Sequence, residues 1–221
     1  MIVHFISAYY SDRAHRKLKA RTPEYWDAYM FVWAIKIGQF KSGFTIHLRK
    51  RKLQIKADTI HLAREMFGKF IDHRLKKDDV DHDVLLIPVP SKDALVGAGS
   101  YRSLEMLEEA MENRDFKSCV TDGIRWTKKL AKSHEGGHHN RDYWKPHLDV
   151  IIGVDGKDVI LVDDVLSTGG TMLAAKEALE EAGANVLFAI ACGKTVYDFE
   201  LKPFGAQQID LEDEIHDYDG E

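Results

Sequence analysis

Val159-Ile160-Leu161-Val162-Asp163-Asp164-Val165-Leu166-Ser167-Thr168-Gly169-Gly170-Thr171 decides the fold: an apolar run, two acids, a turn of hydroxyl residues and glycines, then a helical pattern from Thr171 to Ala182 closed by Gly183. A short, continuous apolar run reads as a strand buried on both faces, and such strands belong to parallel sheets covered by helices. Ligands of open parallel sheets collect beyond the carboxyl ends of strands. The polar half of this stretch falls there. Its turn suits a phosphate monoester, because glycines admit close backbone approach, N–H groups at a helix start carry the positive end of the dipole, and Ser167, Thr168 and Thr171 add hydroxyl donors. Asp163 and Asp164 would repel that phosphate and must serve another group. At a strand end they suit the vicinal hydroxyls of a sugar, so the stretch describes a pocket for a ribose 5-phosphate. The plainer alternative, a helix-capping turn with two solvated aspartates, does not account for the combined spacing.

The rest of the chain supports an α/β reading. Val84 to Ile87 is a second apolar run closed by Pro88-Val89-Pro90, and Val186 to Ala191 is a third. Between them lie amphipathic helices, one from Thr59 with Ile60, Ala63, Phe67 and Ile71, and one from about Tyr101 with Leu104, Leu107 and Met111. Upstream, Thr22-Pro23 starts a helix that sets Trp26, Met30, Trp33 and Ile37 on one face and stops at Gly38. Phe44, Ile46 and Leu48, then Leu53 and Ile55, alternate as a hairpin with a basic turn. The expected fold is a doubly wound parallel sheet with an N-terminal flap or hood: residues 1–57 as the basic flap, 58–197 as the core and 198–221 as an acidic tail.

Composition bounds the alternatives. A chain of 221 residues with 44% hydrophobic residues and mean hydropathy −0.33 can close a core without disulfides or metals. The net charge of −5 conceals a division, since residues 1–60 hold twelve Lys or Arg against four acids, while residues 210–221 hold seven acids and no Lys or Arg. A basic front attracts phosphorylated ligands or nucleic acid. Cys119 and Cys192 lie far apart, outside any metal-type pair, and read as buried small residues of a cytoplasmic protein. The start lacks the marks of an export signal, and no apolar run is long enough to span a membrane.

The Val159–Thr171 stretch resembles the phosphoribosyl-pyrophosphate (PRPP) signature of the type I phosphoribosyltransferases. Layout over roughly residues 30 to 197 is similar to the ComF-like branch of amidophosphoribosyltransferase-related proteins, with Ile87 to Pro90 as its Ile-Pro-Val-Pro stretch and Arg125-Trp126-Thr127-Lys128-Lys129 as the lead into a mobile loop. Residues 96–100, Val-Gly-Ala-Gly-Ser, stand where that branch carries Arg-Gly-Phe-Asn-Gln, and its four-cysteine zinc ribbon is absent from residues 1–57.

The resemblance implies Mg²⁺-dependent transfer of the 5-phosphoribosyl group from PRPP to a small-molecule nitrogen acceptor, with pyrophosphate released. Asp163, Asp164 and Val165 through Thr171 (Val165, Leu166, Ser167, Thr168, Gly169, Gly170, Thr171) would bind PRPP, Ser91 and Lys92 would hold its pyrophosphate, and Arg125 would join them. Asp163, Asp164, Lys128, Lys129 and Arg141 are the catalytic candidates. Mg²⁺ would be held mainly by PRPP, with Asp163 and Asp164 reaching it through water.

The segment Arg125 to Trp144, with Lys132, Ser133, Gly136, Gly137 and Asn140, reads as a lid. His134, His138, His139 and His147 read as solvated before they read as metal ligands. Trp26, Tyr29, Trp33 and Phe44 read as core before they read as a stacking hood. Related enzymes are often dimers, so the resemblance admits a homodimer, while the sequence itself does not set the oligomeric state. Nucleic acid is the weaker partner, and a membrane is not expected. A PRPP-binding regulator or a DNA-uptake accessory without turnover is the competing class.

Overall fold

The apolar runs at residues 84–87 and 159–162 lie side by side as parallel strands in the computed structural model, which describes residues 1–17, 20–39, 43–48, 51–129, 141–196 and 201–211. In chain order the elements are β1 (Ile2–Tyr10), α1 (Asp12–Lys17), α2 (Pro23–Ile37), β2 (Phe44–Leu48), β3 (Arg51–Ile55), α3 (His61–Lys77), β4 (Leu85–Pro88) and α4 (Arg102–Met111). There follow β5 (Ile124–Trp126), α5 (Arg141–Trp144), β6 (Leu148–Val150), β7 (Asp158–Leu166), α6 (Gly170–Glu181), β8 (Asn185–Val196) and β9 (Phe204–Asp210). The main sheet runs β4-β7-β8-β1-β9, with every pair parallel except β1 with β9. The pairs β2-β3 and β5-β6 are small separate sheets.

Helices cover both faces, which makes the fold a doubly wound α/β sheet. On one face Phe31 and Ile35 of α2, Phe67 and Ile71 of α3 and Met106 and Leu107 of α4 close over Ile160, Val162 and Ile190. On the other, Met172, Leu173 and Leu179 of α6 close over Val159, Leu161 and Ala189. Each such side chain, fully buried, contributes about 1.5–3 kcal/mol. Cys119 and Cys192 are buried as free thiols. No helix among the described residues is long and apolar enough to cross a membrane.

The sheet departs from the expected three-part division. Its strand β1 comes from residues 1–57, and its antiparallel edge β9 from residues 198–221. Met1 is tied to the far end of the chain, its ammonium donating to Asp210 at 2.9 Å and to the Leu211 carbonyl at 3.2 Å. The segments read as flap and tail thus supply two of the five strands. What remains hood-like in the front is α2 with the β2-β3 hairpin.

The aromatic face of α2 also differs from the core reading. Tyr25, Ala28, Phe31, Val32, Ala34 and Ile35 face inward, while Trp26, Trp33 and Ile37 are about two-fifths exposed (41%, 39% and 40%). The smaller face wins because α2 lies close on β8: a Cβ at Gly193 would stand 2.5 Å from a Val32 methyl. Tyr29 stacks on Trp33, and the buried Arg21 guanidinium lies 3.7 Å from the Tyr29 ring centre.

Candidate active site

β7 continues through both acids to Leu166, past the point where the apolar run ends. Successive side chains of a strand point to opposite faces. Asp163 therefore turns toward the α6 side, and Asp164 toward α2 and α4.

Asp163 is half-buried and lines a cavity of about 120 Å³ with Trp144, Val165, Leu166, Ser167, Thr168, Gly169, Gly170, Thr171 and Met172. Gly169 takes a left-handed conformation, φ 86°, as the residue before α6, and no side chain caps the helix. Open helix N–H groups beside three hydroxyl residues are a ready seat for an anion. Lys194, at the end of β8, donates to the Ser167 carbonyl at 2.6 Å and braces the turn from below. Burial, reinforced by the charge of Asp164, pushes the Asp163 carboxyl up to about 7.

Asp164 is 3% exposed and engaged by two cations. Arg102 forms a short ion pair with its Oδ2, and the Lys36 ammonium lies 3.4 Å from Oδ1. Burial opposes ionisation, but Lys36 and Arg102 prevail and hold this carboxyl below its ordinary range. Asp164 does not line the cavity with Asp163, so the expected pair of acids aimed at one diol is divided between two environments.

Ser91 and Lys92 leave β4 on the same sheet edge but outside the walls of that cavity. Ser91 is buried and its hydroxyl donates to Asp93 at 2.5 Å, while Lys92 is exposed. The Ser91 and Ser103 backbone N–H groups each donate to the other's hydroxyl, at 3.0 and 3.2 Å, which ties this turn to α4. Against the cost of burial, hydrogen bonds from Ser91 and the Arg102 N–H keep Asp93 below its ordinary range.

Arg125 is a correction to the lid reading. Its guanidinium is buried, donating to Asp122 and to the carbonyls of Leu95, Ala98 and Gly99, and it lies 4.9 Å from the Tyr101 ring centre. It braces the 95–99 loop and leaves no donor for a ligand. Lys128 and Lys129 follow on exposed chain. Arg141 is drawn to α6, pairing with Glu177 at 2.9 Å. Lys132, Ser133, His134, Gly136, Gly137, His138, His139 and Asn140 lie outside the described residues.

Among the described residues no group of three His, Cys, Asp or Glu could hold a metal ion. Asp163 in its hydroxyl-rich cavity fits a hard cation as a single carboxylate contact, with the remaining oxygens drawn from water and substrate. Sequence reading missed Lys36, Arg102, Trp144 as a cavity wall and Lys194. Only Trp144 carried a local signal, as the aromatic end of the lid segment.

Residues 100–202 match the family model for a phosphoribosyl transferase domain. Adenine phosphoribosyltransferase of Corynebacterium jeikeium is 60% identical over 71 residues, 29% of this chain and 34% of that protein. Ribose-phosphate pyrophosphokinase of Shewanella oneidensis is 52% identical over 44 residues, 20% of this chain and 14% of that protein. The chain thus spans about a third or less of the length of these relatives. Among solved structures, adenine phosphoribosyltransferase from Saccharomyces cerevisiae is similar at 16% identity and TM-score 0.39, over 75% of this chain and 89% of that one.

Proposed function

Because residues 100–202 match the family model for a phosphoribosyl transferase domain, we propose that the chain transfers the 5-phosphoribosyl group of PRPP to a nitrogenous small molecule, a nucleobase or amine, in a Mg²⁺-dependent reaction. The observation that carries this reading is the uncapped start of α6, which shares one cavity with Ser167, Thr168, Thr171 and the half-buried Asp163.

In this mechanism the α6 start and the three hydroxyls hold the 5-phosphate, and Asp163 accepts hydrogen bonds from the ribose hydroxyls, fixing the ring. The bond from ribose carbon 1 to the pyrophosphate oxygen breaks with its electron pair leaving on pyrophosphate. A nitrogen lone pair of the acceptor forms the new bond, and the acceptor's proton passes to solvent. The ring passes through an oxocarbenium-like state, which the Asp163 carboxylate stabilises. Bound Mg²⁺ would supply charge neutralisation on the leaving dianion. Lys92, Lys128 and Lys129 are the cations for that group, from the β4 exit and from the chain leading to the lid. Trp144 walls water from the phosphate turn.

The acceptor would be selected by the hood, chiefly α2 and the β2-β3 hairpin, whose aromatic face is open. Two buried free thiols favour a reducing, cytoplasmic setting. The test is release of pyrophosphate from PRPP and Mg²⁺ in the presence of a panel of bases and amines. Turnover with one acceptor supports the enzyme. Saturable PRPP binding with no pyrophosphate from any acceptor would leave a binding protein and defeat the transferase reading.

A further inference from the structure

Arg102 joins three parts of the chain that otherwise meet nowhere near one another in sequence. It is the first residue of α4, and its backbone N–H donates to Asp93 at 3.0 Å, in the turn leaving β4. Its guanidinium pairs with Asp164 in the strand that leads into the phosphate turn, and also donates to the Lys36 carbonyl at 3.1 Å, at the end of α2. Lys36 completes the clasp through its own ammonium on Asp164. The sheet itself joins β4 to β7 as far as Val89, whose N–H donates to the Val162 carbonyl at 2.8 Å. Beyond that point the Ser91–Ser103 hydrogen bonds secure α4 to the β4 exit, and Arg102 adds a side-chain link from α4 to β7.

The two linked segments are the turns read above as seats for the two ends of one ligand, and the inference rests on that reading. We infer that Arg102 is a positioning residue which, with Asp164 and Lys36, sets the spacing between the turn at Ser91–Asp93 and the turn at Ser167–Gly169, so that a single ligand phosphorylated at both ends can span them. Asp164 in this arrangement is the buried anchor of the clasp, and Asp163 alone reaches the sugar. A single guanidinium nitrogen, Nη1, donates to both Asp164 and the Lys36 carbonyl, and the rigid plane behind it fixes the direction of both bonds as a freely rotating ammonium does not. Misplacement of a binding group by about 1 Å costs up to a hundredfold in rate.

The experiment compares two ligands by calorimetric titration of the full chain: ribose 5-phosphate, which occupies one turn, and PRPP with Mg²⁺, which must span both. Arg102→Met is expected to weaken PRPP at least tenfold and ribose 5-phosphate less than threefold. Arg102→Lys, which keeps a charge but sets it on a shorter stem with a freely rotating head, is expected to fall between wild type and Arg102→Met. Since Arg102→Met leaves Asp164 buried without its main partner, Arg102→Met/Asp164→Asn serves as the variant that removes both charges. It is expected to melt nearer the wild-type temperature while PRPP affinity stays low, a separation that a purely structural role would not produce. Wild-type PRPP affinity in the double variant, or equal weakening of both ligands by Arg102→Met, would overturn the inference while leaving the site assignment standing. Failure of the wild-type chain to bind either ligand would instead overturn the site assignment, and this inference with it.

Discussion

Asp163 and Asp164 are consecutive in β7 yet serve opposite faces of the main sheet, Asp163 lining the cavity at the start of α6 and Asp164 buried between Arg102 and Lys36. The division follows from the strand extending four residues beyond its apolar run, through both acids to Leu166. It also separates their ionisation, since the acid with two cations stays charged and the acid without a direct cation partner is pushed up. Each side of that division has a measurable consequence.

Asp163 ionises in the fold at about 7, against an ordinary value of about 4. A carboxylate accepts hydrogen bonds from both ribose hydroxyls only when ionised, so ribose 5-phosphate affinity should rise between pH 6 and 8. The phosphate's own second ionisation, at about 6, contributes equally in Asp163→Asn, so the difference between the two titrations isolates the carboxylate. At pH 8 the variant should bind about tenfold to a hundredfold more weakly, as expected for loss of hydrogen bonds to a charged group worth about 1.5–3 kcal/mol. Stability moves the other way. The folded value lies above the unfolded one, so ionising Asp163 costs stability progressively from about pH 4 to about pH 7 and by a constant amount above. Asp163→Asn should therefore melt higher than wild type at pH 8 and at the same temperature at pH 4, and calorimetry showing the reverse order would contradict the burial described here.

Gly169 carries φ 86° at the mouth of α6. A side chain there meets the left-handed penalty of about 1–2 kcal/mol, and relief by backbone rotation would turn the N–H groups out of the cavity. Gly169→Ala is expected to lose about 1 kcal/mol of stability in urea unfolding and to weaken inorganic phosphate more than this strain alone implies. Unchanged phosphate affinity would show that the turn is not the anion seat.

The central part of this fold was legible because its strands are apolar runs bounded by proline, acid or glycine, and its helices α3, α4 and α6 have regular apolar spacing. β1 and β9 were not, for different reasons. β1 mixes His4, Ser7, Tyr9 and Tyr10 into its apolar residues, and the β9 run Phe204-Gly-Ala-Gln-Gln-Ile-Asp is an exposed edge whose pairing is set by β1 across almost the whole chain. Such pairing depends on tertiary context more than on propensity. At the site, the turn from Ser167 to Thr171 was legible as the lead into a helix because its residues are consecutive. The roles of Arg102, Lys36 and Lys194 arise from chain crossings that no spacing encodes, and the same crossings moved Arg125 from the ligand to the scaffold.

Arg125 holds the 95–99 loop through three carbonyls and pairs with Asp122 at 2.6 Å. Arg125→Met leaves those acceptors without their donor and Asp122 without its cation. The expected loss is about 3 kcal/mol, the lower end for a broken buried pair because Asp122 is 27% exposed. Protease cleavage should appear first at Gly97 to Gly99, and a variant as stable and as resistant as wild type would contradict the bracing role.

Gly193 permits the close seating of α2 on β8, because a Cβ there would lie 2.5 Å from one Val32 methyl and 3.3 Å from the Tyr9 ring. Gly193→Ala must push α2 outward or force Val32 from its rotamer, at about 1–3 kcal/mol. Since Lys36 rides on α2, the displacement should also loosen Lys36 from Asp164. Tryptophan fluorescence from the exposed Trp26 and Trp33 should shift together with the fall in melting temperature. A fall without a spectral change would mean that the strain is absorbed inside the sheet.

Lys194 tests the turn from the side of its support. Its ammonium meets the Ser167 carbonyl at 2.6 Å and so fixes the peptide that leads into Thr168 and Gly169. A hydrogen bond of this kind contributes about 1 kcal/mol net, equivalent to about fivefold in an equilibrium constant. Lys194→Met keeps an unbranched side chain and removes the ammonium, so its melting temperature should fall by only about 2–4 °C. Ribose 5-phosphate affinity should fall about fivefold, and Lys194→Arg should recover most of it because a guanidinium can still reach the carbonyl. If Lys194→Met binds as wild type does, the turn holds its shape through Gly169 and the start of α6 alone. If Lys194→Arg fails to recover the loss, the ammonium serves the ligand directly and the carbonyl contact is incidental.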